Sequence, residues 1–332
     1  MLWYLTTALF NYMALNGFYL SRFSFQLRAI DTLRLPQYKG STFRGGFGHA
    51  FKKVVCTVRG KPCSECLLKM KCIYVYIFET LPPEGSEVLR NYKSIPHPFI
   101  IEPPEDTRCS FEQGETLSFH LILIGRAIDY LPYFIYTFNE LGMSGIGKGR
   151  GRYELALVNS TDSGEVIYSS EDKALKGSYT TITPSNLPRA GIGDDNTLLL
   201  HFLTPARIVN EKKLTFEIEF HHLIRNLLRR ISNLSYFHCG TRLEIDFKGL
   251  IEKAEKVIAV DRDLRWYDWE RDSARQDTRM KLGGFIGTIG FKGDLEPFIP
   301  FLSLGELIHL GKGTSFGLGR YKIREKNVNS LS

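Results

Sequence analysis

The two halves of this chain end in the same way. Gly149-Arg-Gly-Arg152-Tyr153-Glu-Leu155 and Gly317-Leu-Gly-Arg320-Tyr321-Lys-Ile323 share the pattern G-x-G-R-Y-x-aliphatic, and the offset of 168 residues between them also pairs Pro132 with Pro300. A repeat of about half of a 332-residue chain implies a duplicated domain. In the first half, alternation from Phe18 to Leu33 predicts a strand, and Phe43, Phe47 and Phe51 recur at helical spacing. A buried strand at Leu117–Ile124, an aromatic-rich helix at Tyr130–Leu141, a glycine loop and a returning strand at Arg152–Val158 follow. The second half repeats the plan, with a strand at Leu198–Thr204, a basic helix at Phe220–Leu234, a strand at Phe285–Phe291, a helix at Leu295–Leu310 and its own glycine loop. This order predicts an α+β protein of two tandem ferredoxin-like (RRM-like) domains, each ending in a glycine-rich loop and strand. The expected boundaries are an extension at 1–16, a first domain at 17–158, a Ser/Thr/Gly/Asp-rich linker at 159–196, a second domain at 197–325 and a tail at 326–332.

Charge narrows the partner. Lys and Arg number 43 against 36 Asp and Glu, a net charge of +7, and residues 34–61 alone hold seven basic side chains and no acid. Such a concentrated field suits a polyanion. On the predicted first helix, His49, Lys52 and Lys53 lie opposite the phenylalanine stripe, with Arg44 in the same basic tract and Tyr38 near the helix entry. An imidazole beside ammonium groups fits RNA cleavage by its own 2′-hydroxyl, in which one group takes a proton, a cation stabilises the crowded phosphate and another group protonates the leaving oxygen. His49, Lys52 and Tyr38 are therefore the catalytic candidates.

The glycine loops follow helices and lead into strands, the reverse of the dinucleotide-binding order, and no phosphate-binding Lys-Ser/Thr pair follows them. What they offer is backbone open to a phosphate chain, flanked by Lys148, Arg150, Arg152, Lys312 and Arg320, or else a tight helix-to-strand connection. Arg271, Arg275, Arg279 and Lys281 share odd positions and would line one face if the segment were a continuous strand. Arg44, Lys53 and His309, at the mouth of the second loop, complete the candidate RNA contacts.

Cys56-x6-Cys63-x2-Cys66-x5-Cys72 supplies four soft ligands in a short insertion, which suits a structural zinc ion or an iron-sulfur cluster. Six cysteines are too few for a disulfide framework at this length. The uncharged stretch Met1–Ser21 lacks a basic leader and is interrupted by Asn11, Asn16 and Gly17, so no membrane partner is expected and a cytoplasmic location is.

Together, the paired glycine loops, above all His309-Leu-Gly-Lys-Gly-Thr-Ser-Phe-Gly-Leu-Gly-Arg-Tyr321, resemble the RAMP superfamily of CRISPR proteins, and within it the endoribonucleases that process precursor CRISPR RNA. Lys39-Gly-Ser-Thr-Phe-Arg-Gly-Gly-Phe-Gly-His49, the cysteine segment, His97-Pro-Phe-Ile-Ile-Glu-Pro-Pro104 and Asp268-Trp-Glu-Arg271 fit the same impression. The resemblance implies cleavage within CRISPR repeats without a catalytic metal, giving 5′-hydroxyl and 2′,3′-cyclic phosphate ends. It also implies a first-helix histidine assisted by a lysine and a tyrosine. His49 and Lys52 match, whereas Arg34 stands where the tyrosine is sought and Tyr38 is its nearby substitute. The implied partners are CRISPR repeat RNA and CRISPR effector subunits. The competing expectation is a non-catalytic RAMP subunit that binds RNA within an effector complex.

Overall fold

Alternation along the first strand sets the N-terminal sheet. In β1 (Leu20–Ala29), Phe23, Phe25 and Leu27 are fully buried while Arg22, Ser24, Gln26 and Arg28 reach solvent. In this computed structural model, which describes every residue except 1–10, 84–93, 188–190, 194, 211–212, 269, 274–277, 282 and 326–332, the chain divides into two units. The N-terminal unit continues with α1 (Gly40–Val55), β2 (Phe99–Glu102), β3 (Thr116–Ile124), α2 (Leu131–Ser144), β4 (Tyr153–Ser160) and β5 (Val166–Ser169). Its antiparallel sheet has the order β2-β3-β1-β4-β5. The first four strands give the split β-α-β topology.

Phenylalanines hold both helices to this sheet. Phe43, Phe47 and Phe51 of α1 and Phe134 and Phe138 of α2 are fully buried, and the Phe47 ring centre lies 4.7 Å from Phe134 and 5.3 Å from Phe138. Each such side chain contributes about 1.5–3 kcal/mol by leaving water. Gly46 brings the helices close, since a Cβ there would stand 3.1 Å from Leu141.

The C-terminal unit repeats the plan with β6 (Thr197–Ala206), α3 (Phe220–Leu234), α4 (Phe247–Ala254), β7 (Ile258–Tyr267), the hairpin β8 (Glu270–Ser273) and β9 (Thr278–Lys281), β10 (Gly284–Lys292), α5 (Ile299–Ile308) and β11 (Tyr321–Glu325). Its sheet order β7-β10-β6-β11 matches β2-β3-β1-β4 strand for strand. The repeated motif has one structural meaning in both units. The Tyr153 hydroxyl donates to the Phe138 carbonyl at 2.9 Å, and the Tyr321 hydroxyl to the Leu302 carbonyl at 2.7 Å, so each buried tyrosine ties its strand to the preceding helix.

The expected domain edges shift. The segment 159–196 is not a free linker: β5 lies within it, Ile167 and Tyr168 are buried, and the division between units falls at Thr181/Ile182. Polar composition there conceals one short apolar edge strand. The described part of the expected extension also packs, because residues 11–18 belong to the C-terminal unit, where Leu15 is buried and the buried Asn11 amide donates to the Pro297 carbonyl at 2.8 Å. Phe237–Gly240 belongs to the N-terminal unit, where His238 bonds the Pro96 carbonyl at 2.8 Å. Among the described residues no helix is long and apolar enough to cross a membrane.

Candidate active site

The inward phenylalanine stripe of α1 leaves His49 and Lys53 on its outer side, one turn apart. Both line a cavity of about 410 Å³ within the N-terminal unit. Tyr136, Glu140 and Ser144 reach it from α2, and Arg150 from the glycine loop, with Gly46, Ala50, Val54 and Leu141 as its apolar floor. Arg150 takes a left-handed backbone at φ 52°. One open cavity thus combines an imidazole, a phenol, a carboxylate, an amine and a guanidinium. That set can move protons and stabilise a phosphate.

The other catalytic candidates lie outside this lining. The Lys52 ammonium sits over the Tyr74 ring, 5.4 Å from its centre. Burial pushes the Tyr38 phenol well above its ordinary range, with the Glu102 carboxylate adding to the effect. Helical phase explains the exchange of lysines: 40° separates His49 from Lys53 about the axis and roughly 60° separates it from Lys52, on the other side.

The basic tract is less uniform than its sequence. Lys39 is fully buried, its ammonium donating to the Asp106 carbonyl at 2.6 Å, and Arg44 contacts His97 at 2.8 Å while its guanidinium covers the Phe78 ring. Gly48 offers no bare backbone to a ligand, because the Phe78 ring fills the space of its missing Cβ. Arg152 is held by Asp31, with Nε 2.7 Å from the carboxylate, and this pairing keeps the Asp31 carboxyl below its usual range. Lys148, Arg150 and Lys312 are exposed, and Arg320 is half-buried.

The glycine loops are pinned connections. Their Lys148 and Lys312 amides donate to Arg34 and Arg207 carbonyls, both at 2.9 Å, and the Ile146 amide to Gly151 at 2.9 Å. These amides are therefore committed to the protein and not to an incoming phosphate. His309, offered by the sequence as an RNA contact, is fully buried, with Nδ1 3.2 Å from the Leu318 carbonyl. Arg271, Arg279 and Lys281 belong to a hairpin, so their odd numbering no longer implies one shared face, and Arg275 lies outside the described residues.

Cys56, Cys63, Cys66 and Cys72 are free thiols, all half-buried. Burial pushes the Cys63 thiol up, with Cys72 and Cys56 adding to the rise and Lys52 opposing it. Among the described residues no group of three or more His, Cys, Asp or Glu side chains is placed to hold a metal ion, so the thiols as arranged do not fit a tetrahedral site.

Sequence reasoning missed Tyr136, Glu140 and Ser144. The available signal was the helical wheel of α2, in which Tyr136 and Glu140 fall opposite Phe134 and Phe138 while Ser144 ends the helix at the start of the glycine loop.

Residues 18–180 match the AF_1859_N N-terminal domain model, and residues 200–321 match that of the CRISPR-associated endoribonuclease Cas6. A relative from Archaeoglobus fulgidus, described as an uncharacterized protein, is 26% identical over 304 residues, covering 87% of this chain and 93% of its own length. Among solved structures, a Cas6 product complex shares the fold with a TM-score of 0.56 and 16% identity, over 92% of this chain and 99% of that one. A partial Cas6-RT-Cas1–Cas2 complex gives a TM-score of 0.59 at 16% identity over 94% of this chain, which spans only 47% of the chain it matches. The C-terminal match falls on β6 through the repeated Tyr321, and the strand orders of both units are those expected for tandem ferredoxin-like domains. Residues 200–321 therefore resemble the Cas6 endoribonuclease domain, and the whole chain shares the tandem ferredoxin-like fold of solved Cas6 proteins.

Proposed function

We propose that this protein cleaves precursor CRISPR RNA within its repeats by attack of the 2′-hydroxyl on the adjacent phosphate, leaving 5′-hydroxyl and 2′,3′-cyclic phosphate ends. The observation that carries the reading is the convergence of His49, Lys53 and Arg150 on one open cavity. His49 takes the 2′-hydroxyl proton or returns one to the leaving 5′-oxygen. Lys53 and Arg150 balance the charge that accumulates on the phosphate. Glu140 lies in the same cavity and can accept a proton from His49 or from RNA. This role for Lys53 replaces the one expected of Lys52.

The test is incubation of the purified protein with repeat RNA in EDTA. Cleavage should persist, the fragments should carry the stated ends, and a single 2′-deoxy substitution at the cut should abolish the reaction. Cleavage that requires added divalent metal, or that survives the 2′-deoxy substitution, rejects this mechanism. Tight RNA binding with no cleavage under any condition supports the non-catalytic RAMP subunit instead.

A further inference from the structure

The outer side of α2 carries large aromatic rings that the core does not use. Tyr133 is 42% exposed and Tyr136 is 55% exposed, although neighbouring Phe134 and Phe138 are completely buried. Exposed aromatics scattered singly are ordinary on protein surfaces, but these two are neither scattered nor isolated. Tyr136 lines the cavity that holds His49, Lys53 and Arg150. Tyr133 lies one helical turn away, about 4.5 Å along the axis. From there the rings continue. Tyr133 and Tyr130 have centres 6.1 Å apart, Tyr130 and Tyr76 have centres 5.7 Å apart, and the Arg126 guanidinium lies 5.3 Å from the Tyr76 ring centre. A row of aromatic rings thus leads away from a cationic cavity and ends at another cation.

We propose that Tyr136 and Tyr133 form a stacking platform for successive unpaired nucleotides of the RNA, immediately beside the phosphate held at the His49 cavity. The assignment rests on the RNA-cleaving reading above and adds a substrate requirement to it: the nucleotides next to the cut are single-stranded. The physical case combines two complementarities. Lys53 and Arg150 attract the phosphate chain, and the exposed phenol rings of Tyr133 and Tyr136 give bases an aromatic surface to stack on. In a duplex, the bases are stacked on one another and offer no free face to the tyrosines. The flat phenol loses little conformational freedom on binding, unlike a long flexible side chain.

The experiment measures binding separately from cleavage. A fluorescently labelled, 2′-O-methylated RNA of about ten nucleotides and without secondary structure cannot be cut by 2′-hydroxyl attack, so its affinity is read directly in the full-length protein. Tyr136→Ala should weaken binding by about 5- to 100-fold, as expected for the loss of one base–aromatic stack. Tyr136→Phe should bind within about twofold of the parent, because stacking needs the ring and not the hydroxyl. Tyr133→Ala should weaken binding in the same range, and a blunt RNA duplex should show neither loss. Both positions are exposed, and unchanged thermal unfolding of the variants will confirm that folding is intact. Parent-like binding by Tyr136→Ala, equal losses with Phe and Ala, or equal losses on single strand and duplex would each overturn the platform. If the parent protein fails to cut unmodified repeat RNA but the tyrosine effects appear, the cleavage reading falls and the platform stands. Cutting with no tyrosine effect has the opposite meaning.

Discussion

The two glycine loops share their anchoring bonds and differ in length and surroundings. The Lys148 and Lys312 amides each donate at 2.9 Å to a carbonyl beyond the first strand of their unit, Arg34 and Arg207 respectively, and Tyr153 and Tyr321 tie equivalent strands to equivalent helices. Beyond this clamp they diverge. The N-terminal loop sends Arg150 into a cavity facing His49 and Lys53. In the C-terminal loop His309 is buried, and the Arg230 Nε donates at 2.9 Å to the Ile308 carbonyl at the end of α5. Burial pushes this guanidinium down to about 9. The duplicated motif therefore encodes a connection between helix and strand. The proposed chemistry draws on the first helix of one unit alone.

The largest contrast is between the histidines. His49→Ala should slow RNA cleavage by about 10²- to 10⁴-fold, the range for losing a general acid or base, while repeat affinity changes little. His309→Ala should lower the unfolding midpoint instead, by removing a buried group that satisfies the Leu318 carbonyl, at a cost of about 1–3 kcal/mol. Single-turnover kinetics and thermal unfolding separate these effects. If His309→Ala abolished cleavage in a fully folded protein, the assignment of chemistry to one unit would break.

Backbone strain gives the next largest effect. Gly319 has φ 73° and a Cβ there would lie against the Leu310 carbonyl, whereas Gly149 at φ 85° has nothing within 4 Å of its Cβ position. Gly319→Ala should destabilise by at least about 2 kcal/mol and Gly149→Ala by about 1 kcal/mol, as measured by urea unfolding. Equal losses would mean that the C-terminal loop can relax.

Within α1, Lys53→Ala should reduce the single-turnover cleavage rate by about tenfold or more, a loss of about 1.4 kcal/mol in transition-state stabilisation. Lys52→Ala should change it by less than about threefold, because its ammonium lies over Tyr74, outside the cavity lining. The reverse order would restore Lys52 to the site. The matched tyrosines should respond alike: Tyr153→Phe and Tyr321→Phe should each cost about 1 kcal/mol of stability, as for one buried hydrogen bond, and unequal costs would limit the equivalence of the clamps. The cysteine insertion, which has no counterpart in this comparison, is tested by elemental analysis of protein purified without oxygen. One zinc ion or iron-sulfur cluster per chain would show that the four thiols close around a metal, and none would show that they stay free.

Much of the architecture was legible in the residues themselves. The repeated G-x-G-R-Y motif marked the duplication, the spacing of Phe43, Phe47 and Phe51 marked the buried side of α1, and the same spacing left His49 facing outward. Local periodicity suffices there because one buried stripe fixes the orientation of an entire helix. Which outward groups meet was decided by packing between elements. The approach of α1 and α2 at Gly46 and Leu141, and the return of the glycine loop, gather Lys53, Tyr136, Glu140 and Arg150 around His49 and leave Lys52 and Tyr38 elsewhere. Burial of His309 and Lys39 likewise depends on distant strands and loops closing over them. The sequence alone determined the duplicated fold and the basic first helix, since these follow from local pattern and chain order. Only the tertiary structure decided the membership of the site, because the cavity is formed by two stretches far apart in the chain, 46–54 and 136–150, whose relative placement neither contains.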